Sequence, residues 1–286
     1  MRNKKLTYYL INMFFILGAI FLVNYRGTIG MNFSIQQIIP LILMLALIHL
    51  FKFIRIYFIL LEERIPIKRM AKIYIKTTFV SIVFPYKLGE VFKMYSFGNE
   101  INSYPKGTVA VLIDKLFDAI ILCAVLIPYE IIKVGKISKL SLLLLVFIVV
   151  ILLIYLCFEG TYKYLNKFFI IQIKSKKGLF VLKVLEESNN IFNYSKNMIK
   201  GRQIVLLAIS ALIWLLESIF IYIIAGFIDM IPQLITIIEY ISDAFLGINN
   251  ILFNKYVYLC TVGFLVIIIL IYMKKFISGG VKIWKK

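Results

Sequence analysis

The chain is poor in the residues that soluble catalytic domains depend on, and each shortage excludes something. Charged side chains make up 16% of its 286 residues, well below the roughly one quarter of a soluble domain, which excludes a water-soluble globular fold. His49 is the only histidine, so a hydrolytic metalloenzyme would have to bind its metal through carboxylates alone, and neither metal nor cofactor is expected. Cys123, Cys157 and Cys260 all lie inside apolar runs. They read as small hydrophobes, with no disulfide framework and no zinc spacing. No G-x-S-x-G, phosphate-binding loop, dinucleotide glycine fingerprint or H-E-x-x-H occurs, and no catalytic residue is assigned.

What the chain has instead is 62% hydrophobic residues and a mean hydropathy of +0.94. A bilayer core of about 30 Å needs about 20 mostly apolar residues per helix. Six runs meet that requirement: 6 to 23, 38 to 61, 107 to 128, 140 to 158, 204 to 228 and 256 to 273. The expected fold is an all-α polytopic membrane protein of about six transmembrane helices with two re-entrant broken segments. Its 33 Lys and Arg against 14 Asp and Glu, net +19, mark loops on the cytoplasmic leaflet and not a nucleic-acid partner. Arg2, Lys4 and Lys5, then Arg64, Lys68, Arg69 and Lys72, then Lys163 through Arg202, then Lys274 through Lys286 fit one side. Both termini are therefore expected in the cytoplasm of a cell-membrane protein, with the basic loop at 129 to 139 as the misfit.

Two further apolar stretches are interrupted. Residues 71 to 98 break at Pro85-Tyr86-Lys87-Leu88-Gly89-Glu90, and residues 229 to 252 break around Ser242, Asp243, Gly247, Asn249 and Asn250. Parity brings the first in from the cytoplasm and the second from outside. Such a pair is the pattern of an inverted repeat with a midplane site. The expected layout is one membrane domain, 1 to 286. Its first half is 1 to 128 and its second is 204 to 286, joined through a basic segment, 159 to 203, that lies on anionic inner-leaflet lipid or is a solvated linker.

Charges at membrane depth are functional candidates because burying them costs several kcal/mol unless they are paired or wet. Lys87, Gly89, Glu90 and Lys93 surround the first break, where freed backbone N–H groups and two lysines suit a phosphate. The bland alternative is a local ion pair of Glu90. Asp114 and Asp118 share one helical face with Lys115 between them, and Lys87 and Lys93 are their expected partners. That network either serves the site or only joins two elements, and proton coupling through either aspartate is a third option. Glu217 should face the bundle interior, as a proton carrier or against Lys115. His49, Lys52 and Arg55 are read as snorkelling anchors, with Arg55 also able to meet lipid headgroups.

The stretch Phe84-Pro85-Tyr86-Lys87-Leu88-Gly89-Glu90-Val91-Phe92-Lys93, with Val111-Leu112-Ile113-Asp114-Lys115-Leu116-Phe117-Asp118 beyond it, resembles the transmembrane flippase-like domain of the bacterial lysylphosphatidylglycerol synthases. Asp114-Lys115 stands where Glu-Arg is more usual in that family. Ala244-Phe245-Leu246-Gly247-Ile248-Asn249-Asn250 resembles its second broken segment, with Asn250 in place of the acid. The resemblance implies a stand-alone lipid translocator, not the aminoacyl transferase. Its substrate would be an anionic or aminoacylated phospholipid, or a polyprenyl-phosphate-linked sugar. The substrate-binding candidates are Lys87, Gly89, Glu90, Lys93, Asp114, Lys115, Asp118, Glu217, Gly247 and Asn250. The rival expectations are a non-catalytic assembly subunit docking an envelope synthase through 159 to 203, and an intramembrane transferase with Asp114 or Asp118 as base.

Overall fold

A computed structural model describes residues 10, 13, 14, 17, 35–84, 88–172, 176–227, 255–264 and 267. Every regular element among them is helical, with no strand. In chain order these are α1 (Ile35–Ile59), a 3-10 turn (Leu61–Glu63), α2 (Ile67–Val83), α3 (Leu88–Ile101) and α4 (Tyr104–Tyr129). A π turn (Glu130–Val134) then leads to α5 (Lys139–Gln172), α6 (Lys176–Ile199) and α7 (Gln203–Phe227). Residues 255–264 are also helical. The chain is an all-α membrane protein.

Local chemistry explains the boundaries. Pro66 precedes the first residue of α2, and α4 starts from Ser103 with proline in its first turn, where the missing N–H costs nothing. Pro128 sits in the last turn of α4 and cannot bond back to the preceding turn, so the helix loosens into the π turn. That turn stops at Gly135, whose φ of +70° only glycine adopts freely. Glu130 is buried at 3% exposure and ties the turn to α5. Its carboxylate accepts from Ser138 N–H at 2.8 Å and from Ser141 Oγ at 2.9 Å, while Ser138 Oγ caps the Ser141 N–H at 3.1 Å.

Three of the six expected spans become helices long and apolar enough to cross a membrane: Gln36–Ile59, Lys139–Ile171 and Gln203–Phe227. The run at 107 to 128 forms α4, long enough at 26 residues but carrying Lys106, Asp114, Lys115 and Asp118. The runs at 6 to 23 and 256 to 273 are described only at residues 10, 13, 14, 17, 256–264 and 267, all helical. The break expected at 229 to 252 lies outside the described residues. The break at 71 to 98 is seen as α2 and α3 ending and starting on either side of 84–87.

The fourth run does not stop at 158. It continues as one 34-residue helix to Gln172, about 51 Å at 1.5 Å per residue, some 20 Å more than a hydrocarbon core needs. The rest of 159 to 203 is mostly α6, which folds back on α5. Phe158 stacks on Phe192 at 4.4 Å, Lys196 lies over Phe192 at 4.9 Å, and Lys196 pairs with Glu159.

The chain forms two compact units. One holds Met1–Phe53, Ile65–Phe97 and Leu215–Lys286, and the other holds Ile54–Arg64 and Gly98–Trp214. In the second, α4, α5 and α6 pack on one another. Its 3-10 turn is gripped by Lys106, 3.0 Å from Glu63, and by Arg202, which donates to Phe58 O and to Glu62 at 3.0 Å each.

Candidate functional site

In the second unit, Asp114 and Asp118 are four residues apart on α4, so helical periodicity points both carboxylates the same way. Arg55, in the last turn and a half of α1, meets them. Its Nε donates to Asp114 Oδ1 at 2.7 Å, Nη1 to Asp118 Oδ1 at 2.6 Å, and Nη2 to Asp118 Oδ2 at 3.0 Å. The two Asp118 bonds form the parallel fork that only a guanidinium offers a carboxylate. Nη1 also donates to Ser210 Oγ at 2.8 Å, and Trp214 Nε1 donates to Asp118 Oδ1 at 3.1 Å. Arg55 is 1% exposed, Asp114 3% and Asp118 7%, so the cluster is buried.

This corrects the reading of Arg55 as a snorkelling anchor. A long cation within reach of two aspartates is better off neutralised than stretched to a headgroup. Arg55 is also the cation of the cluster, where sequence reasoning had looked to Lys87 and Lys93. The signal was partial: two acids on one face require a cation, but spacing does not say which of the cations in the apolar runs supplies it. Lys93 is buried on α3 and Lys115 is half-buried on α4. Lys87 lies outside the described residues.

The first unit carries a different pair. Glu217, one turn beyond the stretch that holds Ser210 and Trp214 on α7, accepts from Lys52 Nζ. Lys52 is thus not an anchor, and Glu217, expected as a proton carrier or against Lys115, has a cation on α1. His49, one turn before Lys52, is half-buried and also not at a headgroup. Its Nδ1 lies 3.3 Å from Tyr74 Oη, its Nε2 lies 3.7 Å from Cys260 Sγ, and its ring meets Phe264 edge-on at 4.7 Å.

The broken segment belongs to the same unit. Gly89, at the start of α3, has a packing reason for its identity. A Cβ there would lie 2.1 Å from Ser81 Cα and 2.9 Å from Val80 O, so α2 and α3 touch backbone to backbone where only hydrogen fits. Glu90 stands in the first turn of α3 and supplies that N-terminus with an anion of its own. The hydroxyls of Ser81 and Ser96 are buried with no hydrogen-bond partner among the described residues, a cost of about 1–3 kcal/mol each that a bound polar group would relieve. Gly247 and Asn250 lie outside the described residues.

The structure therefore divides the sequence candidates. Gly89, Glu90, Lys93 and Glu217 fall in one compact unit, and Asp114, Lys115 and Asp118 fall in the other. Helices of membrane-spanning length that bury ion pairs define an integral all-α membrane protein with polar machinery inside it. The chain belongs to the family of the lysylphosphatidylglycerol synthase transmembrane region, whose pattern matches residues 10–248. That membership links it to a membrane domain of lipid metabolism or translocation. No curated protein and no solved structure matches the chain.

Proposed function

We propose that the protein is a flippase-like translocator that moves a phospholipid headgroup across the cytoplasmic membrane, with both termini inside the cell. The substrate is an anionic or aminoacylated phospholipid such as lysylphosphatidylglycerol, or a polyprenyl-phosphate-linked sugar. The observation that carries the reading is the burial of opposite charges along α1, α4 and α7, where Arg55 meets Asp114 and Asp118 and Lys52 meets Glu217. Buried pairs contribute little net stability compared with apolar residues of the same volume, so their presence within each unit on helices of membrane-spanning length supports a polar role over a passive anchor. Lys93 and Lys87 are assigned to the phosphate, and no bond-breaking chemistry is assigned to these residues. Inner-leaflet lipid is the proposed neighbour of 159 to 203, where Ile170, Ile171, Leu179 and Phe180 are exposed beside lysines.

The test is leaflet exchange in proteoliposomes containing an aminoacylated phospholipid, read with an amine reagent that cannot cross the bilayer. The expected outcome is labelling of the inner-leaflet pool in the presence of protein, slowed by Lys87→Ala and Lys93→Ala. Exchange no faster than in protein-free vesicles would transfer the weight to an assembly subunit for an envelope synthase. Recovery of such a synthase, lost on deleting α6, would then be the supporting result.

A further inference from the structure

Lys52 is an ammonium on a flexible stem and makes one contact with Glu217, at Oε1. The Glu217 side chain is 5% exposed and that of Lys52 27%, so the acid is enclosed while its cation has an open side to move to. The cluster of the other unit has no such freedom, because a guanidinium stays charged and is fixed by its fork to Asp118. An enclosed carboxylate that loses its counter-charge is strongly unfavourable as an anion, and a proton is the smallest cation that can replace Lys52 there. Groups able to pass a proton stand around the pair. His49, one turn before Lys52 on α1, has the Tyr74 hydroxyl of α2 3.3 Å from Nδ1 and the Cys260 thiol of the helix at 255–264 3.7 Å from Nε2. Cys260 bonds in turn to Tyr256 and feels the charges of both Lys52 and Glu217, while Lys93 of α3 joins Lys52 in acting on His49. An imidazole bonded at both nitrogens can take a proton at one and give one from the other.

We infer that Glu217 couples the translocator to the proton gradient, binding one proton each time Lys52 leaves it and releasing that proton when Lys52 returns. This rests on the translocation reading above and supplies its driving force. The Lys52 ammonium keeps its three protons throughout and moves towards its open side. The proton that neutralises Glu217 comes from water by way of His49 and goes back to water when the pair re-forms. Each cycle therefore makes and breaks one O–H bond at Glu217, with no net change at His49. A carboxylate that is paired in one state and protonated in the other is never left charged and alone, so Lys52 and Glu217 part only when a proton is bound. Uptake on one side of the membrane and release on the other make the headgroup's movement follow the proton gradient.

The test uses the full chain in proteoliposomes of phosphatidylethanolamine and phosphatidylglycerol with a trace of fluorescent phosphatidylglycerol, whose outer-leaflet pool is bleached by dithionite. A pH difference is imposed while potassium and valinomycin hold the electrical potential at zero. Wild type is expected to drive the fluorescent lipid to an unequal distribution of about tenfold per pH unit, the ratio for one proton per lipid. In Glu217→Gln the two leaflets should stay equal. His49→Phe should slow the approach to the wild-type ratio without changing the ratio, and a normal rate overturns the relay. Equal leaflets in wild type, or a gradient response that survives in Glu217→Gln, overturns the coupling. Infrared spectroscopy reads the site without transport. Lys52→Met should show a protonated carboxyl band at neutral pH that Lys52→Met with Glu217→Gln lacks. If Lys52→Met does not fold, acid titration of wild type should bring up a band that Glu217→Gln lacks, and absence of the band overturns the site. The band without any lipid exchange keeps the proton site and removes translocation, whereas exchange to equal leaflets without the band leaves translocation standing and removes the coupling.

Discussion

At the scale of single residues, Arg55 matters most to the stability of the second unit. Its removal takes the guanidinium from between two buried aspartates and leaves Asp118 with the Trp214 N–H and the charge of Lys115. Arg55→Met should therefore cost about 3–5 kcal/mol, the range for breaking a buried pair from one side, and appear as a large drop in the melting temperature of the detergent-solubilised protein. Adding Asp114→Asn and Asp118→Asn to the same chain should recover much of that loss, because it is the uncompensated charge that costs most. Arg55→Lys keeps the charge but not the fork to Asp118 and should melt between wild type and Arg55→Met. The two aspartates were legible as a pair from their spacing; their cation was not, because a side chain's partner is a matter of three-dimensional proximity that residue type alone leaves open.

At the scale of elements, the breaks were more legible than the lengths. Pro85 and Gly89 announced the division between α2 and α3, since proline and glycine act on the backbone wherever the chain goes. The reason for Gly89 was not visible, because it depends on Ser81 lying across it. Gly89→Ala is expected to push α2 and α3 apart and destabilise the protein by about 1–3 kcal/mol, the range for overpacking a tight contact, whereas Gly160→Ala, which meets nothing within 4 Å, should be neutral or slightly stabilising. A thermal-shift comparison of the two variants decides this. The fourth span was read too short for the opposite reason. Charges at Glu159, Lys163 and Lys167 end hydrophobicity but not helicity, and packing against α6 carries the helix on. Glu130→Gln keeps an acceptor but loses the charge that holds Ser138 and Ser141. A loss of about 1 kcal/mol is expected, read as faster amide exchange through 136–141.

At the scale of the whole molecule, the positive charge predicts an orientation. With the native cysteines replaced by serine, single cysteines at 68 and 200 should react with an impermeant maleimide only after the cells are opened, and one at 235 should react in intact cells. The reverse pattern would invert the topology while leaving the helices as they are. The sequence by itself determined that the chain is helical and membrane-embedded, where several of its helices begin and where its backbone breaks, because hydropathy, proline and capping act over a few residues. Only the tertiary structure decided which charges neutralise which. Arg55 reaches aspartates 59 and 63 residues away, and Lys52 reaches an acid 165 residues away. In a medium that penalises every buried charge, helix packing brings those partners together, and no local pattern encodes the pairing.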